Sequence, residues 1–241
     1  MKLIKNKNLL GYFGTAQNDL KHHGEYVDQN FEKLKTKLNS STGSPIKTLL
    51  FLEQTHSTKI FVVDQNTKLQ SPLDLRNHQG DAIITNQKNI AIGVATADCL
   101  PLFLYDPVNQ IIAVVHAGWR GLIAGIISKT IKQMTIEFKT KPSDIKVYLG
   151  PCAKVCCYEV QKDFLTNVPA DAQRQGSIEV RNEKLFFNNL IMVQDELTTS
   201  GILKDSINTQ NNVCTICTPG FCSVRNGGQM TGRQPSVAFL I

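Results

Sequence analysis

Long apolar runs are missing from this 241-residue chain, and no stretch is both apolar and long enough for a helix to cross a bilayer. The first seven residues, Met1-Lys2-Leu3-Ile4-Lys5-Asn6-Lys7, hold no apolar segment of the kind an export signal needs. Charge is not clustered either. The net charge is +6, but the lysines are spread along the chain without a basic stripe or interleaved aromatics. That argues against nucleic acid as a partner and leaves room for an anionic small ligand. No Pro/Gly/Ser-rich linker, internal repeat or low-complexity tract divides the sequence, so residues 1–241 read as one domain.

What is present is an ordinary globular composition, 41% hydrophobic and 19% charged, which rules out a disordered chain. Seven cysteines is an odd number. With no export signal, the expectation is a reducing cytoplasm, in which thiols serve metal binding or catalysis rather than disulfides.

Apolar periodicity gives a coarse map. Residues 8–20 carry short strand and turn signals, and 24–38 read as a helix with Val27, Phe31, Leu34 and Leu38 on one face. Strands are expected at 48–53, 60–63, 81–85, 90–96, 101–105, 111–116, 145–149, 179–181 and 236–241. Helices are expected at 121–138, where Leu122, Ile123, Ile126, Ile127, Ile131 and Met134 recur at helical spacing, and at 188–200, with Gly201 as its stop. Residues 164–167 read as a further helical turn. Strands and helices mix without strict alternation, so the fold class is α/β (α+β), a mixed sheet with helices outside.

The chain is organised around Ala97-Asp98-Cys99-Leu100-Pro101 and His116-Ala117-Gly118-Trp119-Arg120-Gly121. The turn Asp106-Pro107-Val108-Asn109 between two apolar strands predicts a hairpin whose far ends bring Cys99 and His116 side by side. His56 ends another apolar strand within Gln54-Thr55-His56-Ser57, whereas His22, His23 and His78 lie in polar stretches and read as surface residues. One Cys and two His would leave the fourth position of a tetrahedral zinc open for water or substrate. A metal-free Cys–His nucleophilic dyad is equally compatible with the spacing, and so are a structural histidine and a buried thiol. Asp98 could orient a ligating histidine, act as a general base or cap a turn. Arg120, at the start of a helix, could hold a phosphate or pair with a carboxylate.

The other cysteines form two groups: Cys152, Cys156 and Cys157, then Cys214, Cys217 and Cys222. A single Cys-x-x-Cys offers only two ligands. Buried, reduced thiols are the first expectation, and a structural zinc joining both groups is the alternative.

The two corner motifs, together with Gln54-Thr55-His56-Ser57 and Asp81-Ala82-Ile83-Ile84-Thr85, resemble the YfiH/YlmD/FAMIN laccase-domain family. So do Gly150-Pro151-Cys152, Cys157-Tyr158-Glu159-Val160 and Thr231-Gly232-Arg233-Gln234, with the matches in order over residues 48–241. The resemblance implies a single layered α/β/β/α domain related to cysteine-hydrolase-like toxin domains. It implies one zinc on His56, Cys99 and His116; around that site the candidate catalytic residues are Asp98, Cys99 and Arg120, and the candidate substrate-binding residues are Arg120 and Arg225. The implied activity is phosphorolysis of purine nucleosides (adenosine, inosine, guanosine and methylthioadenosine) with phosphate as co-substrate, and adenosine deamination alongside. The alternatives are hydrolysis of a cell-wall precursor, UDP-MurNAc-L-Ser, and a non-catalytic zinc-stabilised interaction module.

Members of that family have also been labelled polyphenol oxidases. Five histidines are few for a multicopper oxidase, and a lone Cys/His/His copper calls for a weak axial ligand that none of Met134, Met192 or Met230 is obviously placed to supply. Copper is therefore not expected. This chain also departs from the family pattern. Phe13-Gly14-Thr15-Ala16-Gln17 runs to His23-Gly24-Glu25 without the usual arginine, and Phe221-Cys222-Ser223-Val224-Arg225-Asn226 lacks one aromatic and one arginine. The sequence leaves open whether the protein is a monomer or a dimer.

Overall fold

The structure, a computed structural model, describes residues 2–22, 25–43, 45–67 and 74–241. Its main strands are β1 (Lys2–Asn6), β2 (Leu9–Phe13), β3 (Thr48–Phe51), β4 (Ile60–Val63), β5 (Ala82–Thr85), β6 (Ile90–Thr96), β7 (Leu100–Asp106), β8 (Ile111–Ala117), β9 (Lys146–Leu149), β10 (Ile207–Asn208) and β11 (Gln234–Leu240). Strands β5 to β8 are buried at nearly every position. Their side chains are apolar on both faces, which suits strands sandwiched between layers rather than facing water.

Two sheets result. The first has the order β1-β2-β11-β6-β3, antiparallel except for β3, which runs parallel to β6. The second has the order β10-β9-β7-β8-β5-β4, with parallel pairs at its two edges and antiparallel pairs between. Between them lies an apolar layer to which both contribute, including Leu9, Phe13, Ile92 and Leu240 from one and Ile83, Phe103, Ile112 and Val114 from the other. Phe13 and Phe103 stack across it, with centroids 4.4 Å apart.

Helices cover the outer faces. Phe31, Leu34 and Leu38 of α1 (Asp28–Thr42) pack on the outside of the first sheet. The outside of the second sheet is covered by α2 (Trp119–Ile123), α3 (Ile126–Phe138) and α4 (Asn189–Thr199). This is the layered mixed α/β architecture expected.

Two sequence readings need correction. The helix expected at 121–138 is broken, because Gly125 adopts the left-handed conformation (φ +80°) between α2 and α3. The Glu196 carboxylate accepts from Ser128 Oγ at 2.9 Å and fixes the restart. The helix expected from residue 24 begins at Asp28, and Val27 precedes it with extended backbone; Gly24 lies outside the described residues. The first residues form edge strand β1, which pairs with β2 through a turn in which Lys7 has positive φ. The short strand expected at 179–181 belongs to a three-stranded sheet of Ile178–Arg181, Lys184–Phe187 and Glu159–Val160.

Candidate metal centre and ligand cleft

The hairpin expected between Cys99 and His116 forms. Asp106 Oδ1 accepts from the backbone N–H groups of Val108 (2.8 Å) and Asn109 (3.0 Å), and this side-chain turn closes the loop. The register pairs His116 with Pro101 and Ala117 with Leu100, which leaves Cys99 beside the imidazole.

His56 reaches the same point from a different layer. The Gln54 amide is hydrogen-bonded to both the N–H and the C=O of Ala95, at 2.8 and 3.0 Å, and anchors the loop to β6. Two residues on, His56 has φ +58°, an uncommon conformation for a residue with a side chain. The conformation is held by Asp81, which accepts from the backbone N–H of His56 (3.0 Å), the backbone N–H of Ser57 (2.6 Å) and Ser57 Oγ (2.7 Å). Asp81 also accepts from His116 Nδ1 at 2.8 Å, so one fully buried carboxylate orients both histidines. Sequence reading placed Asp81 only in a strand motif. An acidic residue opening a wholly apolar strand was the available signal.

The Nδ1 bond of His116 leaves its Nε2 for Cys99. The donor atoms of His56, Cys99 and His116 lie within 4.8 Å of one another, with Cys99 Sγ 3.7 Å from His56 Nε2. Gly118 is what permits this approach: a Cβ there would stand 2.5 Å from His56 Cδ2 and 3.2 Å from Cys99 Sγ. Two imidazoles and a thiolate, with a carboxylate behind one imidazole, are the donor set of a zinc site with an open position. The residues fit such an ion.

The electrostatics agree. Burial opposes ionisation of Cys99, but the neighbouring His116 and His56 outweigh it and bring the thiol down to about 6. Burial likewise opposes a charge on His116, yet Cys99 and Asp81 push it up to about 9. Asp81 falls to about 2, because the His116 and Ser57 hydrogen bonds outweigh its desolvation.

A cleft of about 460 Å³ opens onto this corner, within the size range of small-ligand sites. Lys21, Arg120, Arg225 and Arg233 all line it, against Glu53 and Asp98. Arg120 is exposed, lies 4.1 Å over the Trp119 ring, and forms no ion pair among the described residues. The helix it opens, α2, has only five residues. Arg225 lies over the Tyr158 ring at 4.9 Å and donates from Nη1 to the Glu159 carbonyl. Lys21 and Arg233 were not singled out in the sequence. Lys21 supplies a cation from the N-terminal segment, and Val224 lines the wall beside Arg225.

Asp98 sits beside the cleft with φ +82°. Its Oδ1 accepts from Thr215 Oγ1 (2.7 Å) and its Oδ2 from the backbone N–H of Arg225 (2.9 Å). Both oxygens are thus engaged in tying distant chain segments to the corner. Of the other histidines, His78 is exposed with its ring edge-on to Phe61, while His23 and the His22 side chain lie outside the described residues. Met134 is buried in the core beneath α3, and Met230 is exposed.

Residues 13–241 match the family described as multi-copper polyphenol oxidoreductase laccase. The chain belongs to this family. Its family relatives include a purine nucleoside phosphorylase of Clostridium acetobutylicum, 34% identical over 92% of this chain and 88% of the relative. A purine nucleoside phosphorylase of Aquifex aeolicus is 37% identical over 88% of this chain and 98% of its own. Among solved structures, the hypothetical protein YfiH of Bacillus licheniformis superposes with a TM-score of 0.82 at 23% identity, covering 97% of this chain and 93% of that one. YlmD of Geobacillus stearothermophilus superposes at 0.79 with 20% identity, over 96% and 90%. Both share the fold.

The family description speaks of several coppers. Among the described residues, the groups of three or more metal-binding side chains are His56/Cys99/His116 and a cluster of four cysteines. Neither is the histidine-rich assembly that a multicopper oxidase requires.

Proposed function

We propose that this protein is a metal-dependent purine nucleoside phosphorylase acting on adenosine, inosine, guanosine and methylthioadenosine, with adenosine deamination in the same cleft and zinc as the metal. The observation that carries this reading is the cation-lined cleft opening directly onto His56, Cys99 and His116. The names of the relatives support the reaction class.

In phosphorolysis a phosphate oxygen bonds to ribose C1′ while the bond from C1′ to the base breaks. The base leaves with the bonding pair and takes up a proton. In this reading the guanidinium groups of Arg120 and Arg225, which line the cleft, hold the phosphate in hydrogen bonds strengthened by charge. The Trp119 and Tyr158 rings, which also line the cleft, offer flat apolar surfaces to the purine. Asp98 is a positioning residue in this reading, since its two oxygens hold Thr215 and the Arg225 backbone. His56, Cys99 and His116 would hold the zinc, which when bound would supply Lewis acidity and, for deamination, a means of activating water. Deamination exchanges the C6 amine for an oxygen from water and releases ammonia.

The test is chromatography of adenosine, inosine and methylthioadenosine incubated with the zinc-loaded protein, with and without phosphate. Phosphate-dependent free base, lost in His116→Ala, is the expected result. Unchanged nucleosides would overturn the reading, and phosphate-independent release of serine from UDP-MurNAc-L-Ser would replace it with the precursor hydrolase.

A further inference from the structure

Four cysteines that the proposed reaction does not use, none of them lining the cleft, converge in a second cluster. Cys156 and Cys157 lie in one turn, closed by hydrogen bonds from the backbone N–H groups of Cys157 (2.9 Å) and Tyr158 (2.8 Å) to the Lys154 carbonyl. Cys214 and Cys217 lie in a second turn, closed by Thr218 N–H donating to the Cys214 carbonyl at 3.0 Å. About sixty residues of chain separate the turns. They are brought together because Cys152 pairs with Cys214 as a short parallel bridge, and Lys154 Nζ donates to the Asn212 carbonyl at 3.0 Å.

The four sulfurs all lie within 4.8 Å of one another, and Cys156 Sγ is 3.8 Å from Cys217 Sγ. A tetrahedral ion with zinc–sulfur bonds of about 2.3 Å spaces its sulfurs about 3.8 Å apart. All four cysteines are free, and the group includes no histidine or carboxylate, so the donor set is wholly soft. Such a set selects zinc over magnesium, calcium or manganese. The thiols are reduced as expected, but the expectation that they are buried does not hold at Cys156 and Cys217, which are exposed.

Cys214 shows a further feature of a thiolate ligand. Backbone N–H groups of Cys217, Lys154 and Ile216 are directed at its sulfur. Amides directed at a sulfur favour its deprotonated, metal-binding form. The cluster also occupies a strategic place in the chain. Tyr158 follows Cys157 directly, and the segment after Cys214 carries Thr215, whose hydroxyl meets Asp98, and then Arg225.

We propose that Cys156, Cys157, Cys214 and Cys217 form a structural tetrathiolate zinc site that clamps together the two segments carrying Tyr158 and Arg225. The site is separate from the His56/Cys99/His116 corner, and binding there releases thiol protons without any redox step. The ion would act as a tie between segments remote in sequence.

The experiment measures metal content of the full-length protein purified under reducing conditions, then its cobalt(II) spectrum. His116→Ala protein should retain zinc and, after cobalt exchange, show the strong sulfur-to-metal charge transfer and red-shifted d–d bands of a tetrathiolate site. The Cys214→Ser/Cys217→Ser variant should lose those bands and melt at lower temperature. If that variant fails to fold, Cys156→Ser, at an exposed position, should lose zinc to a chelator at least ~10-fold more readily than wild type, as expected for a site missing one of four ligands. The proposal is overturned if His116→Ala protein holds no zinc and gives no tetrathiolate spectrum. It is equally overturned if Cys156→Ser retains zinc as firmly as wild type. Neither readout depends on nucleoside turnover, so the clamp and the reaction can fail independently.

Discussion

His116 Nδ1 donates a 2.8 Å hydrogen bond to Asp81, whose carboxylate also holds the backbone N–H groups of His56 and Ser57. The ring of one proposed ligand and the loop of another are therefore set by a single buried residue that touches no metal itself.

Replacing that carboxylate by an amide, Asp81→Asn, puts an NH2 group against at least one donor and removes the negative charge behind His116. Zinc affinity should fall about 10- to 100-fold, the usual cost of losing such a supporting partner. Competition against a chromophoric chelator measures it, and an unchanged affinity would show that Asp81 serves the fold alone.

Gly118→Ala tests the close approach sterically, since the Gly118 backbone (φ −68°) accepts any residue. The added methyl would lie 2.5 Å from His56 Cδ2, so the imidazole must move. The expected result is lost metal at the His56/Cys99/His116 corner and about 1–3 kcal/mol of destabilisation, typical of overpacking. Normal metal content in the variant would mean that His56 is not a ligand.

Arg120→Ala should raise KM for phosphate about tenfold or more while leaving metal content unchanged, because a charge-assisted hydrogen bond contributes about 1.5–3 kcal/mol. Steady-state kinetics at varied phosphate separates this from a fall in kcat. A KM for phosphate equal to that of wild type would remove Arg120 from the phosphate site.

Acid should weaken the metal-free protein through Asp81. Its folded carboxyl is held at about 2, below the ~3.9 of an unfolded chain. A group lowered in this way stabilises the fold above about pH 4, and the contribution disappears as pH falls toward 2. His116 is protonated in both states across that window and adds no slope. Urea midpoints measured between pH 5 and 2 with chelator present, below the range in which Cys99 and an unfolded histidine titrate, should fall more for wild type than for Asp81→Asn. Parallel curves would refute the assignment.

The corner hairpin was legible in the sequence because its determinants are local. An Asp-Pro-Val-Asn turn between two apolar runs specifies both the pairing and its register, so Cys99 and His116 had to meet. The mixed sheet with helices outside, the α4 helix with its Gly201 stop and the closing strand β11 followed from apolar periodicity in the same way. Periodicity could not show the break at Gly125, because Leu122, Ile126 and Ile127 continue to face the core across it.

Contacts between segments far apart in the chain were decided only by the tertiary structure. Asp81 becomes the common partner of His56 and His116 only once β5 lies beside β8 and the His56 loop folds over both. Lys21 and Arg233 join the cleft by similar packing, and the two cysteine turns meet because Cys152 pairs with Cys214. Sequence chemistry determines which residues can bind an ion or a phosphate. Which of them share a site depends on how buried strands from distant parts of the chain pack, and apolar patterning marks each strand as buried without naming its neighbour.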